Sequence, residues 1–156
     1  MSFTLPQNPP VVTQQTDETC WAAALESWQR SVHTKVVDSQ HQLIKKFGTH
    51  GIGMKRFERH TRAWEMNYRL VTLNDFPSSH EIEHTLRSFG YLYIAFDSDK
   101  GWWHCNVLYG IETPLNDEPF YRVMDPGEDG LKTRLKASFY PRYGSRLFVG
   151  WHNIGK

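Results

Sequence analysis

The feature that most constrains this chain is a cysteine at the beginning of a strong helix-forming segment. A polar loop ends at Cys20, and the run Trp-Ala-Ala-Ala-Leu-Glu follows it directly. Trp21, Leu25 and Trp28 recur at the i, i+4 and i+7 spacing of one helical face. The alanines favour helix because they lose no side-chain entropy there. The pattern therefore predicts a helix from about Cys20 to Val32.

The start of this helix is a place where a cysteine can become reactive. Thr19, or Asp17 before it, can cap the first turn. Cys20 then lies beside unpaired backbone N–H groups at the positive end of the helix dipole, which stabilise a thiolate. The thiolate is the nucleophilic form of cysteine. A small buried cysteine that only packs is the alternative interpretation, and this segment alone does not separate the two.

Length and composition predict one domain over residues 1–156, with residues 1–13 as an extended, proline-rich lead-in. Aromatic residues make up 14% of the chain, so a packed core is available without disulfides. Cys20 and Cys105 are the only cysteines, which is no disulfide framework, and we expect both to be reduced.

Charge and hydropathy exclude several partners. A formal net charge of +1 argues against binding nucleic acid through bulk electrostatics. The N-terminus has neither the basic start nor the apolar run of a signal peptide, and no segment is long and apolar enough to cross a membrane. We expect a protein made in the cytoplasm. Because 19 residues precede Cys20, we also expect no folded inhibitory pro-segment.

The order of the elements predicts an α+β fold, in which an N-terminal helical part packs on a C-terminal antiparallel sheet. Glycine and proline positions separate the segments. After the first helix we predict helices at 38–47, 54–66 and from about 77 to 89, strands at 91–96, 102–111, 120–124 and 146–151, and an irregular or helical stretch at 131–140.

Residues 80–84 read His-Glu-Ile-Glu-His and match the H-E-x-x-H pattern of zinc proteases. Ile82, Leu86 and Phe89 form the apolar stripe of the same helix, so the two histidines are predicted to face water. No obvious third ligand follows downstream. We therefore predict no metal site and no cofactor, and metal analysis of the purified protein decides between the two interpretations.

A second feature outside the cysteine segment is a group of basic residues on the second and third predicted helices. Such a group can dock an acidic substrate or partner, but charged helix faces are usually just solvated. The residues are Lys45, Lys46, Lys55, Arg56, Arg59 and Arg62.

A cysteine nucleophile needs a base and an orienting group. His104 lies in a strand-like run, where alternation places it opposite to Cys105, so Cys105 is predicted to be core. A hairpin folded about residues 115–116 brings His104 opposite residue 126 or 127. Asp125 is then within one or two residues of that partner and can hold the ring. Taken alone, His104 is more often structural, and Asp125 more often a turn residue.

Together these motifs resemble papain-like cysteine peptidases. Gln14 stands six residues before Cys20-Trp21. His104 stands two residues before the run Asn-Val-Leu-Tyr-Gly, and Asp125 follows Val-Met and precedes a proline. The likeness is to the compact bacterial branch that includes bacteriocin-leader peptidases and protease effectors. Glu and Thr replace the Gly and Cys that precede the nucleophile in plant and lysosomal relatives, and Asp replaces their Asn.

The resemblance implies a site and a fold. Cys20 would be the nucleophile, His104 the general base and acid, and Asp125 the orienting residue. Gln14 would donate to the oxyanion, with the adjacent Gln15 as an alternative. A papain-like fold would cover nearly the whole chain. Three tryptophans next to the catalytic positions are candidates for walls of the substrate cleft: Trp21, Trp102 and Trp103.

The resemblance also implies a setting. Relatives include secreted effector toxins that cut essential cytosolic proteins after paired glycines, type II topoisomerase subunits among them, and that are neutralised by an immunity protein. A protein substrate, an inhibitory immunity protein and delivery by a specialised secretion system are therefore expected. Two alternatives remain: the same residues could deamidate or transglutaminate a host protein, or an inert papain-like shell could serve only for binding.

Overall fold

The fold is an antiparallel sheet with helices on both faces, seen in a computed structural model that describes residues 2–50, 52–72, 75–97, 103–114, 119–127, 130–135 and 146–154. The elements in chain order are β1 (Ser2–Thr4), α1 (Cys20–Val32), α2 (Gln40–Phe47), α3 (Met54–His60), β2 (Met66–Val71), α4 (Ser79–Phe89), β3 (Leu92–Asp97), β4 (Trp103–Glu112), β5 (Phe120–Asp125), β6 (Gly130–Leu135) and β7 (Leu147–His152).

The strand order is β2-β7-β3-β4-β5-β6, the pairings between these described strands are antiparallel, and β1 pairs with β4. Three of the four described helices precede β2, and the fourth lies between β2 and β3. The α+β class predicted from the sequence is confirmed. None of the described helices is long and apolar enough to cross a bilayer.

Alternating side chains of the central strands fill two separate cores. On one face, Tyr93 and Val107 pack with α1, whose Trp21 and Trp28 belong to the same cluster. On the other face, residues such as Leu108 pack with α4. Because both faces of β3 and β4 are covered, these strands read as nearly continuous apolar runs.

Small side chains hold α1 close to the sheet. Ala22, Ala23 and Ala24 are each 0% exposed, and the apolar cluster shared with β3 and β4 includes Ala22 and Ala24. Trp28 anchors the far end, because its indole Nε1 donates to the Tyr91 carbonyl at 3.0 Å. The helix runs from Cys20 to Val32, with the boundaries that the sequence predicts.

N-terminal caps fix the first residues of α2 and α4. The hydroxyl of Ser39 accepts from the Gln42 backbone, and Ser78 and Glu81 form a second capping box. The second helix therefore starts at Gln40 rather than Asp38, and the fourth at Ser79.

Two sequence predictions of secondary structure are wrong. The third helix ends at His60 rather than residue 66, because Glu65 adopts a left-handed φ of 58° and Trp64 folds back into a turn. The missed strand β2 follows and pairs with β7. Residues 131–135 belong to strand β6, which pairs with β5, whereas the sequence predicts irregular or helical structure there. The remainder of that prediction, 136–140, lies outside the described residues.

Candidate active site

Cys20 is the first residue of α1, and its side chain is directed at the beginning of β4. The Sγ–H donates to the backbone carbonyl of Trp103 at 3.2 Å, and the residue is 0% exposed. Thr19 occupies the cap position, but its hydroxyl bonds back to Thr16 and makes no cap to the helix. The predicted side-chain cap is therefore absent, so the first N–H groups beside the sulfur are not taken by that hydroxyl.

His104 and Asp125 form a hydrogen-bonded pair next to this sulfur. The ring Nε2 lies 3.1 Å from Asp125 Oδ2, and the carboxylate side chain is only 2% exposed. The other oxygen, Oδ1, accepts from the Gly127 backbone at 2.9 Å. When Nε2 donates to Asp125, the second ring nitrogen, Nδ1, is left for the thiol.

The register of β4 and β5 explains why the pair forms. Val107 pairs with Met124, and the same register continued along β4 puts His104 opposite Gly127, two residues from Asp125. The sequence predicts this position from a simple hairpin, whereas the structure reaches it through a bulge between Leu108 and Gly110. The ring of His104 packs edge-on against Phe96 at 5.3 Å between centroids, which restricts its orientation.

Asn106 completes the surroundings of the carboxylate, a contact that sequence reasoning missed. With its amide oriented to satisfy its neighbours, Asn106 donates to Asp125 Oδ2 at 3.3 Å and to the Cys105 carbonyl at 3.0 Å. Asn106 is 2% exposed. Strand alternation in the sequence already places Asn106 on the same face as His104. The structure shows that Asp125 is its partner.

The electrostatics of the site favour an ion pair. The Cys105 thiol donates a hydrogen bond to Cys20, and this bond, with the hydrogen bond and charge of His104, lowers the pKa of Cys20 to about 5 although burial opposes the change. Burial also disfavours the charged ring, but hydrogen bonds to Asp125 and Cys20 and their negative charges raise the pKa of His104 to about 10. Between these values the thiolate and the imidazolium coexist.

The polar contacts of the sulfur belong to different protonation states. A neutral thiol can donate to the Trp103 carbonyl, as the 3.2 Å contact requires. A thiolate has no proton to donate, and it accepts from the Cys105 thiol and from the His104 imidazolium. Loss of the proton therefore favours a sulfur turned towards these two donors.

Cys105 is core, as predicted, but it also contacts the candidate nucleophile. It is 2% exposed, and its sulfur lies 3.9 Å from the same Trp103 carbonyl that Cys20 reaches. Burial, followed by the hydrogen bond to Cys20, holds the pKa of Cys105 well above its ordinary value, so it remains a thiol and a donor. Strand alternation predicts that Cys105 faces away from His104 and lies in the core, but it does not predict this contact.

Replacing Cys105 with alanine is expected to raise the pKa of Cys20. A hydrogen bond to a charged group contributes about 1.5–3 kcal/mol, which corresponds to roughly one pH unit or more. The pH dependence of iodoacetamide alkylation at Cys20, followed by peptide mass spectrometry, measures the change. Cys105→Ser retains an O–H donor, so the pH midpoint of Cys20 alkylation is expected to stay low in this variant. Equal midpoints for both variants would contradict the hydrogen-bond account.

Three solved structures resemble this chain over most of its length. The peptidase domain of Streptococcus ComA, a bi-functional ABC transporter involved in quorum sensing, has a TM-score of 0.55 and 17% identity, covering 89% of this chain and 96% of that one. A double glycine motif protease from an AMS/PCAT transporter, solved in complex with the leader peptide, has a TM-score of 0.57 and 15% identity, covering 97% and 99%. UfSP from C. elegans has a TM-score of 0.61 and 14% identity, covering 97% of this chain and 34% of its own.

No protein-family model and no curated protein matches the sequence. The structural likeness, with helix α1 packed on an antiparallel sheet, decides the fold. This chain has a papain-like peptidase fold. The catalytic roles of Cys20, His104 and Asp125 remain predictions, which the geometry makes chemically possible.

In this papain-like fold Gln14 lies beside the turn that follows Asp125. Its backbone N–H donates to the Pro126 carbonyl at 3.1 Å, and a Cβ on Gly127 would meet Gln14 Oε1 at 3.2 Å. The side chain of Gln15 is exposed, and its backbone N–H donates to Gln40. Gln14 is therefore the better placed of the two glutamines for the oxyanion role, which stays a prediction.

The three tryptophans predicted to wall the cleft have different outcomes. Trp21 is 2% exposed and packs against Phe47 in the core, so it forms no wall of an open cleft. It borders a cavity of about 10 Å³ behind Cys105, room for about one water. Trp103 lines a much larger cleft of about 650 Å³. Trp102 lies outside the described residues.

The zinc-protease pattern on α4 lies away from the candidate active site, because α4 packs with a different apolar cluster from Cys20. His80 and His84 are exposed, while Ile82 between them is buried. The side chain of Glu81 caps its own helix and pairs with Arg69 at 3.3 Å. Among the described residues no group of three His, Cys, Asp or Glu side chains is arranged to hold a metal ion.

Proposed function

We propose that this chain is a cysteine endopeptidase that cleaves a protein substrate by acyl transfer. One juxtaposition carries the proposal: the Cys20 thiol at the start of α1 lies against a His104 ring whose Nε2 is 3.1 Å from Asp125. A nucleophile, a base and an orienting carboxylate are the parts that this chemistry needs. The peptidase structures that share the fold support the same reaction class.

The reaction begins from the ion pair. The Cys20 thiolate attacks the substrate carbonyl carbon, an S–C bond forms, and the carbonyl electrons move to the oxygen. His104 then gives its Nδ1 proton to the leaving nitrogen as the C–N bond breaks, which releases the first product. Neutral His104 next takes a proton from water, the resulting hydroxide attacks the thioester, and the thiolate leaves. Asp125 holds the ring throughout without taking the proton.

The tetrahedral oxyanion needs donors. The backbone N–H of Cys20 at the helix start and the Gln14 amide are the proposed pair. One such donor contributes about 3 kcal/mol to transition-state stabilisation in acyl-transfer enzymes. The Gln14 Oε1 has no hydrogen-bond partner among the described residues, and Nε2, which would donate to the oxyanion, donates to Asp17 Oδ1 at 3.5 Å.

The proposed setting is that of an effector toxin. We infer cleavage after paired glycines in an essential cytosolic protein such as a type II topoisomerase subunit, after delivery from the cytoplasm of a producing cell, with an immunity protein as inhibitor. The buried sulfur, 0% exposed, supports small residues at the scissile bond because a bulky side chain would have little room beside it. A double glycine motif protease among the neighbours supports the same preference.

Co-expression in a bacterium tests this function. Wild type is expected to slow growth and to create new protein N-termini that follow Gly-Gly, found by labelling and sequencing the termini of the whole proteome. Cys20→Ala, expressed to the same level, is expected to produce neither effect. New termini that appear equally with both proteins would overturn the proposal.

The same experiment identifies the alternatives. A target protein that stays intact but changes mass in a Cys20-dependent manner points to deamidation or transglutamination. No change in any protein, together with iodoacetamide labelling of Cys20 no faster than an ordinary thiol near neutral pH, points to an inert binding module. Either outcome would replace the peptidase proposal.

A further inference from the structure

A wide, positively charged cleft opens next to the candidate active site. It has a volume of about 650 Å³, and its wall includes Lys55, Arg56, Arg59 and His60 from α3, Trp103 from β4, and Arg146 just before β7. Its remaining lining residues are Gly53 and Met54, so none of the described lining residues is acidic.

We propose that this cleft, hereafter the basic cleft, binds an acidic segment of the protein substrate that flanks the scissile bond. The inference rests on the proposed peptidase function, and it adds a substrate class to it. Aspartate and glutamate side chains are the ligands that a row of lysine and arginine heads recognises in a peptide.

The first argument is continuity with the site. Trp103 borders the basic cleft with its side chain, and its backbone carbonyl accepts from Cys20 Sγ at 3.2 Å. A peptide whose scissile carbonyl lies at Cys20 therefore passes Trp103. A few extended residues, at about 3.3 Å each, are enough to bring the next side chains beside α3.

The second argument is that the cations of α3 are not neutralised by acidic side chains of the described residues. Lys55, Arg56 and Arg59 form no ion pair among the described residues, although several other arginines do. The single acidic residue of α3, Glu58, faces the Tyr68 hydroxyl on β2 instead. An ordinary solvated helix face would carry mixed signs, and this face has one sign where it meets the cleft.

The third argument is that aromatic rings orient two of the guanidinium groups. Arg146 lies over the Trp103 ring at 5.3 Å from the centroid, and Arg56 over the Phe47 ring at 5.4 Å. A cation–π contact holds each guanidinium group over its ring, and the edge N–H donors of Arg56 stay available to carboxylates. Two elements far apart in sequence thus supply cations to one surface.

Binding is measured first, with a protein that cannot turn over. The probe is a fluorescein-labelled peptide with six glutamates beside Gly-Gly, and fluorescence anisotropy reports its affinity for Cys20→Ala. A peptide with serines in place of the glutamates is expected to bind at least about tenfold more weakly. Raising the salt from 50 to 500 mM is expected to weaken the glutamate peptide selectively.

Charge reversal locates the contact. Arg56→Glu with Arg59→Glu is expected to weaken the glutamate peptide by about tenfold or more. Lys45→Glu with Arg62→Glu changes the net charge equally but lies outside the residues that line the basic cleft, and it is expected to change affinity less than about twofold. Equal effects of the two pairs, or equal binding of the glutamate and serine peptides, would overturn the inference.

Two further arms separate this inference from the function on which it rests. If the glutamate peptide binds as expected but active protein never cleaves it, the peptidase proposal fails and the basic cleft stands. If both peptides are cleaved with the same KM, the function stands and the inference fails. A single-stranded RNA oligomer that displaces the peptide at equal phosphate and carboxylate concentration would also contradict a peptide-specific cleft.

Discussion

Replacement of Cys20 by alanine is expected to reduce kcat/KM for a protein substrate by about 10⁵-fold or more, to a level that only the remaining binding groups support. Alanine keeps the helix start and removes the sulfur that attacks the carbonyl. Cleavage is followed by the appearance of the new amine in a stopped assay. Circular dichroism and the unfolding midpoint are measured on the same sample, because Cys20 is 0% exposed and its truncation leaves a small cavity.

Cys105→Ala is the matched control for this variant. It removes the same atom from the same apolar cluster, at a residue 2% exposed, but leaves the nucleophile in place. We expect it to lose less than about tenfold in kcat/KM above pH 8, where the Cys20 thiolate forms even without its donor. An equal loss in both variants would mean that the cluster matters through packing, and Cys20 would not be the nucleophile.

Replacement of His104 by alanine is expected to lower kcat/KM by about 10³-fold or more, because the leaving nitrogen loses its proton donor. It also removes a cation that holds the pKa of Cys20 near 5. Since that pKa is lowered in the native site, the thiolate persists down to about pH 5 in wild type and is lost at a higher pH in the variant. Alkylation rate against pH measures the shift directly.

The same two groups set the activity profile of the wild-type protein. The thiolate exists above the pKa of Cys20, about 5, and the imidazolium below the pKa of His104, about 10. Activity that uses the ion pair is therefore expected to rise through about pH 5 and to fall through about pH 10. A profile that rises with a single pKa near that of a free thiol would contradict the ion pair.

Asp125→Asn measures how much the negative charge of the carboxylate contributes to activity. Asparagine can still accept from Nε2 and orient the ring, but it removes the negative charge that raises the pKa of His104. The alkaline limb is expected to move to lower pH, with a smaller loss of kcat/KM than His104→Ala produces. Oδ1 also accepts from the Gly127 backbone, so an unchanged unfolding midpoint is required before the profile is interpreted.

Much of the site could be predicted because it depends on local rules. The apolar spacing of Trp21, Leu25 and Trp28 predicts where α1 runs, and therefore where Cys20 stands. The hairpin between β4 and β5 decides that His104 lies near Asp125, since register follows from loop length and alternation. A bulge between Leu108 and Gly110 lies between the loop and His104 and shifts the register by one residue, and the sequence does not predict it.

The parts that could not be predicted depend on contacts between distant segments. Whether the Cys20 sulfur meets Cys105 depends on the height of α1 above the sheet, which no local pattern specifies. Strand β2 was missed because only Met66 and Val71 at its ends are buried, so its residues show no two-residue alternation. The basic cleft could not be predicted for the same reason, because Arg146 comes from another region of the chain and lies beside α3 only in the folded protein.

The close approach of α1 to the sheet has a consequence for how mutations should be judged. The buried methyl groups of Ala22 and Ala24 act as spacers, and the separation of sulfur and imidazole follows from their size. A relative that preserves cysteine, histidine and aspartate but carries valine at either spacer would have its helix pushed outward, and could lose turnover with every reactive group in place. Inspection of the reactive residues alone would misclassify such a protein as competent.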